Sequence, residues 1–181
     1  MDHITEYFFC SPELLQNVEE LQEIYSLIEA VAWQEEFSIV VDGQKYKHQS
    51  GYNKAFSQQF AQRGWISQPK LCENPRLIGD FQKNNVFVEI QFGNSATIYR
   101  DYYKFHYGLT HGLLALAVLV VPADSKVFFP TRYASVSNMA DFYLAARCFR
   151  LLPIPVPIVL IGLLPGSEGS APDRKYNAKT E

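Results

Sequence analysis

Apolar positions along the first part of the chain follow the spacing of a helix. Ser11-Pro12-Glu13 supplies an N-cap residue, a proline at the first helical position and an acidic residue in the first turn. The apolar residues that follow at helical spacing are Leu14, Leu15, Val18, Leu21, Ile24, Tyr25 and Ile28. The pattern predicts one long amphipathic helix that ends near Trp33.

Two shorter patterns come next. Phe37–Val41 is apolar and runs into Asp42-Gly43, which predicts a strand and a turn, with a hairpin partner around Tyr46. Residues 53–63 have the pattern of a second helix, and Gly64 stands where a C-terminal cap is expected. This region therefore predicts a strand region followed by a helix.

The second half of the chain alternates apolar strands with helices. We predict a strand from Leu77, a polar turn at Lys83-Asn84-Asn85, a strand through Phe92, a helix over 97–112, a buried strand over 113–121, a helix over 138–151 and a last buried strand over 158–164. A helix between two apolar strands implies a parallel crossover, whereas strands linked by a tight turn pair antiparallel. The expected fold class is α/β, with a central mixed β-sheet flanked by helices.

The domain organisation predicted from this pattern is simple. Residues 1–165 form one domain, and residues 166–181 form a polar, flexible tail. Hydrophobic residues make up 48% of the chain and charged residues 19%, which is typical of a compact globular protein. Cys10, Cys72 and Cys148 are an odd number at wide spacing and are interpreted as plain thiols.

The N-terminal stretch and the hydropathy of the chain bear on its location. The first residues include acids where a signal peptide would carry basic residues, and no run of about 18 apolar residues is present for a membrane span. We therefore expect a cytoplasmic protein that does not contact a membrane.

The charges are distributed unevenly along the chain. Residues 1–42 hold ten acidic residues and no Lys or Arg, whereas residues 45–83 hold seven basic residues against Glu73 and Asp80. A solvated acidic helix followed by an ordinary surface explains this as well as a face that follows DNA phosphates, where Lys and Arg gain free energy by releasing counterions.

Asp80, Glu89 and Gln91 are the candidate catalytic residues. Glu89 and Gln91 lie two apart on a predicted strand, so their side chains share one face while Val88 and Ile90 point to the other. If the turn brings Asp80 beside Glu89, two carboxylates meet at an exposed spot that suits Mg²⁺ with open water positions. The alternative is that Asp80 caps a strand end and the other two form the polar face of an amphipathic strand.

A longer segment around these residues resembles a known nuclease family. The sequence from Gly79 to Gly93, GDFQKNNVFVEIQFG, is similar to the active-site segment of the BglII/BstYI family of type II restriction endonucleases. That family belongs to the PD-(D/E)xK nuclease class, with Gln in place of the usual Lys. Residues 53–65 and 158–165 resemble flanking elements of the family in the same order. The resemblance implies a restriction-endonuclease-like fold and a single nuclease domain.

The resemblance assigns roles to the site residues. It implies that Asp80 and Glu89 are metal ligands, that the Ile90 carbonyl adds a ligand, and that Mg²⁺ is the cofactor. Gln91 takes the place of the class lysine, and a neutral amide can orient a water molecule but cannot contribute charge. Gly79 stands where the class has the proline before the first acid.

The candidate DNA-reading residues follow the active-site segment or lie in a later loop. Asn94 matches a position that the family uses near the major groove, and Asn can bond adenine at two points. The loop from Arg132 to Asn138 resembles the family's recognition loop and contributes Arg132, Ser135, Ser137 and Asn138. Ser137 or Asn138 could instead be a helix N-cap. Positively charged residues cast as phosphate contacts are Lys45, Lys47, Lys54 and Arg63.

The helix over 97–112 is rich in aromatic residues. By resemblance it forms a homodimer interface through Tyr99, Tyr102, Tyr103 and His106, although core packing inside one subunit explains half of the aromatic residues equally well. His106 and His111 are five apart, which does not align two zinc ligands on a helix. A two-fold dimer would place identical sites on opposite DNA strands.

These patterns lead to one main functional hypothesis. The chain is expected to be a Mg²⁺-dependent type II restriction endonuclease of a restriction–modification system, which cuts both strands of a short palindromic double-stranded DNA site. The relatives suggest a GATC-centred site and a cognate DNA methyltransferase as a functional partner. The alternatives are a DNA-binding protein of the same fold without cleavage and a structure-specific repair or junction nuclease.

Overall fold

The computed structural model of the chain describes residues 1–32, 34, 37–129, 136–151 and 155–165, with only the backbone of Val41 and of Gln44–Lys47 included. The predicted tail over 166–181 and the predicted helix end at Trp33 lie outside these residues. The helices are α1 Pro12–Leu15, α2 Glu19–Ala30, α3 Gln49–Gln62, α4 Thr97–Thr110, α5 Ser125–Phe128 and α6 Phe142–Leu151. Within the described part of the chain, no helix is long and apolar enough to cross a membrane.

A six-stranded mixed sheet forms the centre of the molecule. The strands of this sheet and of two smaller sheets, in chain order, are β1 His3–Phe8, β2 Ser38–Val41, β3 Gln44–Lys47, β4 Ile66–Ser67, β5 Lys70–Cys72, β6 Leu77–Ile78, β7 Phe81–Lys83, β8 Val86–Ile90, β9 Leu116–Pro122 and β10 Ile158–Leu163. The central sheet has the order β1-β10-β9-β8-β7-β4, and β2-β3 and β5-β6 form separate two-stranded sheets. This confirms the α/β fold class and the mixed sheet.

The pairing directions agree with the prediction. Strands β8, β9 and β10 are parallel, with α4 in the first crossover and α6 in the second, whereas β7 and β8 are an antiparallel hairpin. Every residue of β9 and of β10 is buried, as expected for parallel strands covered on both faces. The predicted cap at Gly64 is also confirmed, since Gly64 has a φ of +75° directly after α3.

Several element boundaries differ from the prediction. The predicted first helix is two helices, α1 and α2, separated by a turn in which Val18 donates its backbone N–H to Leu15. Strand β1 was not predicted, and it pairs antiparallel with β10 at the sheet edge. The predicted strand from Leu77 is divided, because β6 pairs with β5 and β7 pairs with β8. The two strand differences arise where pairing with another segment decides the local structure, whereas the helix is divided by a local turn.

Helices cover both faces of the sheet. On one face, α2 and α3 pack their apolar side chains against Val86, Val88 and Val118. On the other face, α4 and α6 pack against Phe87, Leu119 and Leu160. The side chains of β8 therefore meet α2 and α3 at even positions and α4 at odd positions.

Candidate active site

Asp80 is placed by the hairpin of β7 and β8. The hairpin pairs Phe81 with Val88, so Asp80 stands opposite Glu89 one residue beyond the last pair. The Asp80 Oδ2 atom accepts a hydrogen bond of 2.8 Å from the backbone N–H of Ile90. In a strand the N–H and C=O of one residue point to the same side, so the Ile90 carbonyl faces the side on which Asp80 lies. The turn thus brings Asp80, Glu89 and the Ile90 carbonyl together.

Gly79 precedes Asp80 because no other residue fits there. A Cβ atom at Gly79 would lie 1.9 Å from Cζ of Phe87. The Phe87 side chain is fully buried between β8 and α4 and cannot move away easily. The ring of Phe87 thus occupies the space that a proline or any other side chain would need, which explains the departure from the class pattern.

Glu89 is buried against α4 and is not at an exposed spot. Its side chain is 3% exposed, and Lys104 donates a hydrogen bond of 2.8 Å from Nζ to Glu89 Oε1. The same ammonium lies 3.1 Å from Oδ1 of Asp101, which is fully buried. The expectation of an exposed pair of carboxylates was wrong for Glu89, since α4 packs over this face of β8 and contributes two buried charged residues.

Gln91 joins the same network. Its Nε2 donates to Asp101 Oδ2 at 2.7 Å, and its Oε1 accepts from the backbone N–H of Gly93 at 2.8 Å. The two bonds fix which end of the amide is oxygen and which is nitrogen. Asp101 therefore binds Gln91 with one oxygen and Lys104 with the other.

The buried environment destabilises the charged forms of the Asp80 and Glu89 carboxyl groups. Burial raises the pKa of Asp80, and the Ile90 N–H and the Lys104 charge oppose that rise in part. Burial raises the pKa of Glu89 well above its ordinary value, and the neighbouring carboxylates of Asp80 and Asp101 raise it further, against the opposing effect of Lys104. The acids thus exceed the buried positive charge available to them.

The donor set fits a divalent cation with oxygen ligands. Asp80, Glu89 and the Ile90 carbonyl offer hard oxygen atoms, and the surplus of acid favours added positive charge. In the described residues, no group of three or more His, Cys, Asp or Glu is arranged to hold a metal. Two carboxylates are nevertheless enough for Mg²⁺, which keeps several waters and shares its coordination with substrate phosphate.

Sequence reasoning missed Asp101 and Lys104. Both lie on the buried side of α4 among apolar residues such as Ile98, Tyr102 and Phe105. The available signal was a pair of opposite charges three residues apart on a helix whose apolar stripe they interrupt. Arg100, by contrast, is mostly exposed, with Nε 3.8 Å from Asp101 Oδ1.

The structure brings the two candidate recognition segments together. Asn94 forms an isolated antiparallel bridge with Met139, Ser95 donates its N–H to the Asn138 carbonyl, and Ala140 donates to the Gly93 carbonyl. The side chains of Asn94, Ser137 and Asn138 are exposed. Asn94 Oδ1 accepts from the Ala96 N–H at 2.9 Å, which uses one of its two lone pairs.

The N-cap interpretation of Ser137 and Asn138 was wrong. Helix α6 begins at Phe142, and the Asp141 side chain accepts from the Leu144 N–H at 2.9 Å, so Asp141 caps the helix. The predicted helix start at residue 138 was therefore four residues early, because residues 138–140 pair with the segment after β8.

The remaining candidate DNA contacts are only partly described. Lys54 is exposed on α3, whereas Arg63 is bonded to Gln59 on the same helix. Lys45 and Lys47 lie on β3, and their side chains are outside the described residues. Arg132 and Ser135 also lie outside the described residues.

The four tyrosine and histidine positions proposed for a dimer interface differ in exposure. Tyr99 is 59% exposed and Tyr103 is 49% exposed, and His106 is half-buried on the same side of α4. Tyr102 is buried, with its ring centroid 6.2 Å from that of Phe149 on α6. Tyr102 therefore fits the alternative interpretation, core packing within one subunit.

The chain resembles known restriction endonucleases in both sequence and structure. The family model described as restriction endonuclease BglII/BglIII matches residues 4–163. A solved structure described as restriction endonuclease BglII complexed with a DNA 16-mer matches with a TM-score of 0.75 and 17% identity, over 90% of this chain and 76% of that chain. No curated protein matches the sequence significantly. The family match over nearly the whole chain shows that the chain belongs to the BglII/BglIII restriction endonuclease family, and that it is a type II restriction endonuclease, a hydrolase that binds and cuts DNA.

Proposed function

We propose that the chain hydrolyses both strands of a short palindromic DNA site in a Mg²⁺-dependent reaction at Asp80, Glu89 and Gln91. The observation that carries this proposal is the 2.8 Å hydrogen bond from the Ile90 N–H to Asp80 Oδ2. It fixes Asp80 at the end of β8, beside Glu89 and the Ile90 carbonyl, where three oxygen donors can share one ion. The family uses divalent metal ions, and oxygen donors of this kind favour Mg²⁺.

Each residue of the site has a defined task in this proposal. When bound, the ion supplies Lewis-acid polarisation of the scissile phosphate and lowers the pKa of a bound water. Asp80 and Glu89 hold the ion, and the Ile90 N–H keeps Asp80 in place. Gln91 is oriented by Asp101 and Gly93, and its second amide N–H is suited to orient the attacking water.

DNA recognition is assigned to the paired segments after β8 and before α6. Asn94, Ser137 and Asn138 are the described base-reading candidates, and their exposure and the bridge between Asn94 and Met139 support one common reading surface. Arg132 and Ser135 complete the proposed recognition loop. Lys45, Lys47 and Lys54 are proposed to contact phosphates and position the duplex.

A homodimer would place two such sites on opposite strands. The exposed Tyr99 and Tyr103 lie four residues apart on α4, and His106 continues the same stripe. Exposed aromatic side chains in one stripe are typical of interfaces, so we assign this surface to the two-fold contact. A dimer of this kind requires a palindromic site, for which a GATC centre is the working choice.

The test is a digestion of plasmid DNA of mixed sequence with the purified protein. We expect discrete fragments with Mg²⁺ and no cutting with EDTA, and sequencing of the ends should give one palindromic site. Tyr103→Glu is the matched test of the dimer: it should shift the protein to monomers in size-exclusion chromatography coupled to light scattering.

Other outcomes of the digestion have specific meanings. Cutting that persists in EDTA would contradict the metal requirement. Attack limited to branched or damaged duplexes would favour the structure-specific nuclease instead. An end sequence without two-fold symmetry would contradict the palindromic site.

A further inference from the structure

Buried charge around Glu89 is unequal: three acidic side chains share the ammonium of one buried lysine among the described residues. Glu89 and Asp101 are both buried, Asp80 lies beside them, and Lys104 is the buried ammonium that contacts two of the three acids. Its Nζ is 2.8 Å from Glu89 Oε1 and 3.1 Å from Asp101 Oδ1. Lysine is rarely buried to 5% exposure in a protein unless such pairing compensates for its lost hydration.

Hydrolysis of a phosphodiester develops negative charge on the phosphoryl oxygens and on the leaving oxygen, and a preorganised positive group stabilises that charge. Gln91 is neutral, so it cannot provide this charge from β8. Lys104 lies on α4, which packs over β8, and its ammonium contacts Glu89 and Asp101 from there. The site thus contains an ammonium group, although it comes from α4 and not from β8.

We infer that Lys104 is a positioning residue of the nuclease reaction: delivered from α4, its ammonium fixes the Glu89 carboxylate and supplies the buried positive charge that Gln91 lacks. The inference rests on the proposed function, since it concerns the same site. It also gives Asp101 a defined place, because one of its oxygens holds Gln91 and the other holds Lys104. Asp101 ties the amide and the ammonium into one unit.

The network allows the charge to be moved within the site. Gln91 Nε2 lies 2.7 Å from Asp101 Oδ2, so a lysine at position 91 would still have a carboxylate partner. Gln91→Lys combined with Lys104→Gln therefore keeps the net charge and shifts the ammonium from the helix to the strand. Asp101→Asn combined with Lys104→Gln, the neutral pair, instead removes the ion pair between Asp101 and Lys104 and leaves the site without an ammonium.

The experiment compares the wild type with Lys104→Gln and these two double variants. It measures single-turnover cutting with saturating Mg²⁺, and the melting temperature and DNA affinity in EDTA. Lys104→Gln should cut about 100-fold more slowly and melt roughly 10 °C lower. The relocated-charge variant should recover cutting to within about tenfold of wild type. The neutral pair should recover only part of the melting temperature, because Glu89 stays without its ammonium, and it should stay about 100-fold slow. DNA affinity should remain near wild type throughout.

The variants separate a role in the reaction from a role in folding. If the neutral pair cuts like the wild type, Lys104 only neutralises Asp101 and the inference is overturned. It is equally overturned if Lys104→Gln cuts like the wild type, or if the relocated charge restores no cutting in a folded protein. Should Lys104→Gln not fold, the two double variants give the same decision. A wild type that fails to cut any DNA with Mg²⁺ would contradict the proposed function itself, which is a different result.

Discussion

The amino end of β8 and its carboxyl end, with Gln91 directly after it, are both buried on the side that faces α4, yet they contain opposite chemistry. At the amino end, Phe87 is fully buried and its ring centroid lies 6.0 Å from that of Phe105. At the carboxyl end, Glu89 and Gln91 are 2% and 8% exposed and meet Asp101 and Lys104. One short strand thus carries an apolar contact with α4 and, two residues later, a charged one.

The difference shows how the fold divides stability and function. Burial of an aromatic ring stabilises the folded state by about 2–3 kcal/mol, whereas buried ion pairs often return little net stability after desolvation. The carboxyl end therefore contributes charges held in place, and the amino end contributes the packing that holds them. Substitutions at the amino end should consequently lower stability, and substitutions at the carboxyl end should lower cutting with little loss of stability.

Asp80→Asn should have the largest effect, and it should act on cutting alone. The amide oxygen of Asn can still accept the Ile90 N–H, but the neutral group is a poor ligand for Mg²⁺. We expect single-turnover cutting to fall at least about 1,000-fold, which corresponds to about 4 kcal/mol of transition-state stabilisation. Stability and DNA binding without metal should stay close to those of the wild type.

Two measurements check this separation. Gel-shift affinity in Ca²⁺ or EDTA reports binding, and quenched-flow or gel assays with Mg²⁺ report cutting. An equal loss of binding and cutting would mean that Asp80 supports the fold or the DNA contact and is not a metal ligand.

Gly79→Ala should have the next largest effect, and it should act on stability. The added Cβ would meet Cζ of Phe87 at 1.9 Å, and overpacking of a close-packed core costs about 1–3 kcal/mol. The measurement is the free energy of unfolding in urea. The double variant Gly79→Ala/Phe87→Leu is the control, since the smaller side chain leaves room for the methyl group. Strictly additive losses would contradict the close contact.

The fold was predictable where the sequence pattern was local. The parallel crossovers, the β7–β8 turn and the cap at Gly64 follow from periodicity and turn chemistry. Strand β1 was missed because its six residues are stabilised by pairing with β10, far away in the sequence. The short strands β4 and β5 were missed for a different reason, since a pattern of two or three residues has no period to detect.

The site was half predictable for a related reason. Asp80, Glu89 and Gln91 lie within one hairpin, so alternation along a strand groups them. Asp101 and Lys104 come from a helix that crosses over this hairpin, and no spacing rule connects them to β8. The same crossing buries Glu89, which is why the expected exposed spot is covered. A charged pair within the apolar stripe of α4 was the only local indication.

Glu89→Gln should have the smallest effect on stability, with a sign opposite to that of an ordinary buried substitution. Burial and the neighbouring acids raise the pKa of Glu89, so its charged form is held at a cost that Lys104 does not fully offset. Without metal at pH 7, the neutral amide should raise stability by about 1 kcal/mol, or roughly 2–4 °C in melting temperature. Lys104 would keep Asp101 as its partner at 3.1 Å.

Glu23→Gln is the matched control. Trp65 at 2.7 Å and Lys83 at 2.9 Å both donate hydrogen bonds to the Glu23 carboxylate, and the loss of its charge should weaken these bonds and lower stability. If Glu89→Gln melts lower than the wild type in EDTA, as Glu23→Gln should, the Glu89 carboxylate stabilises the fold, and the proposed division between the two ends of β8 fails.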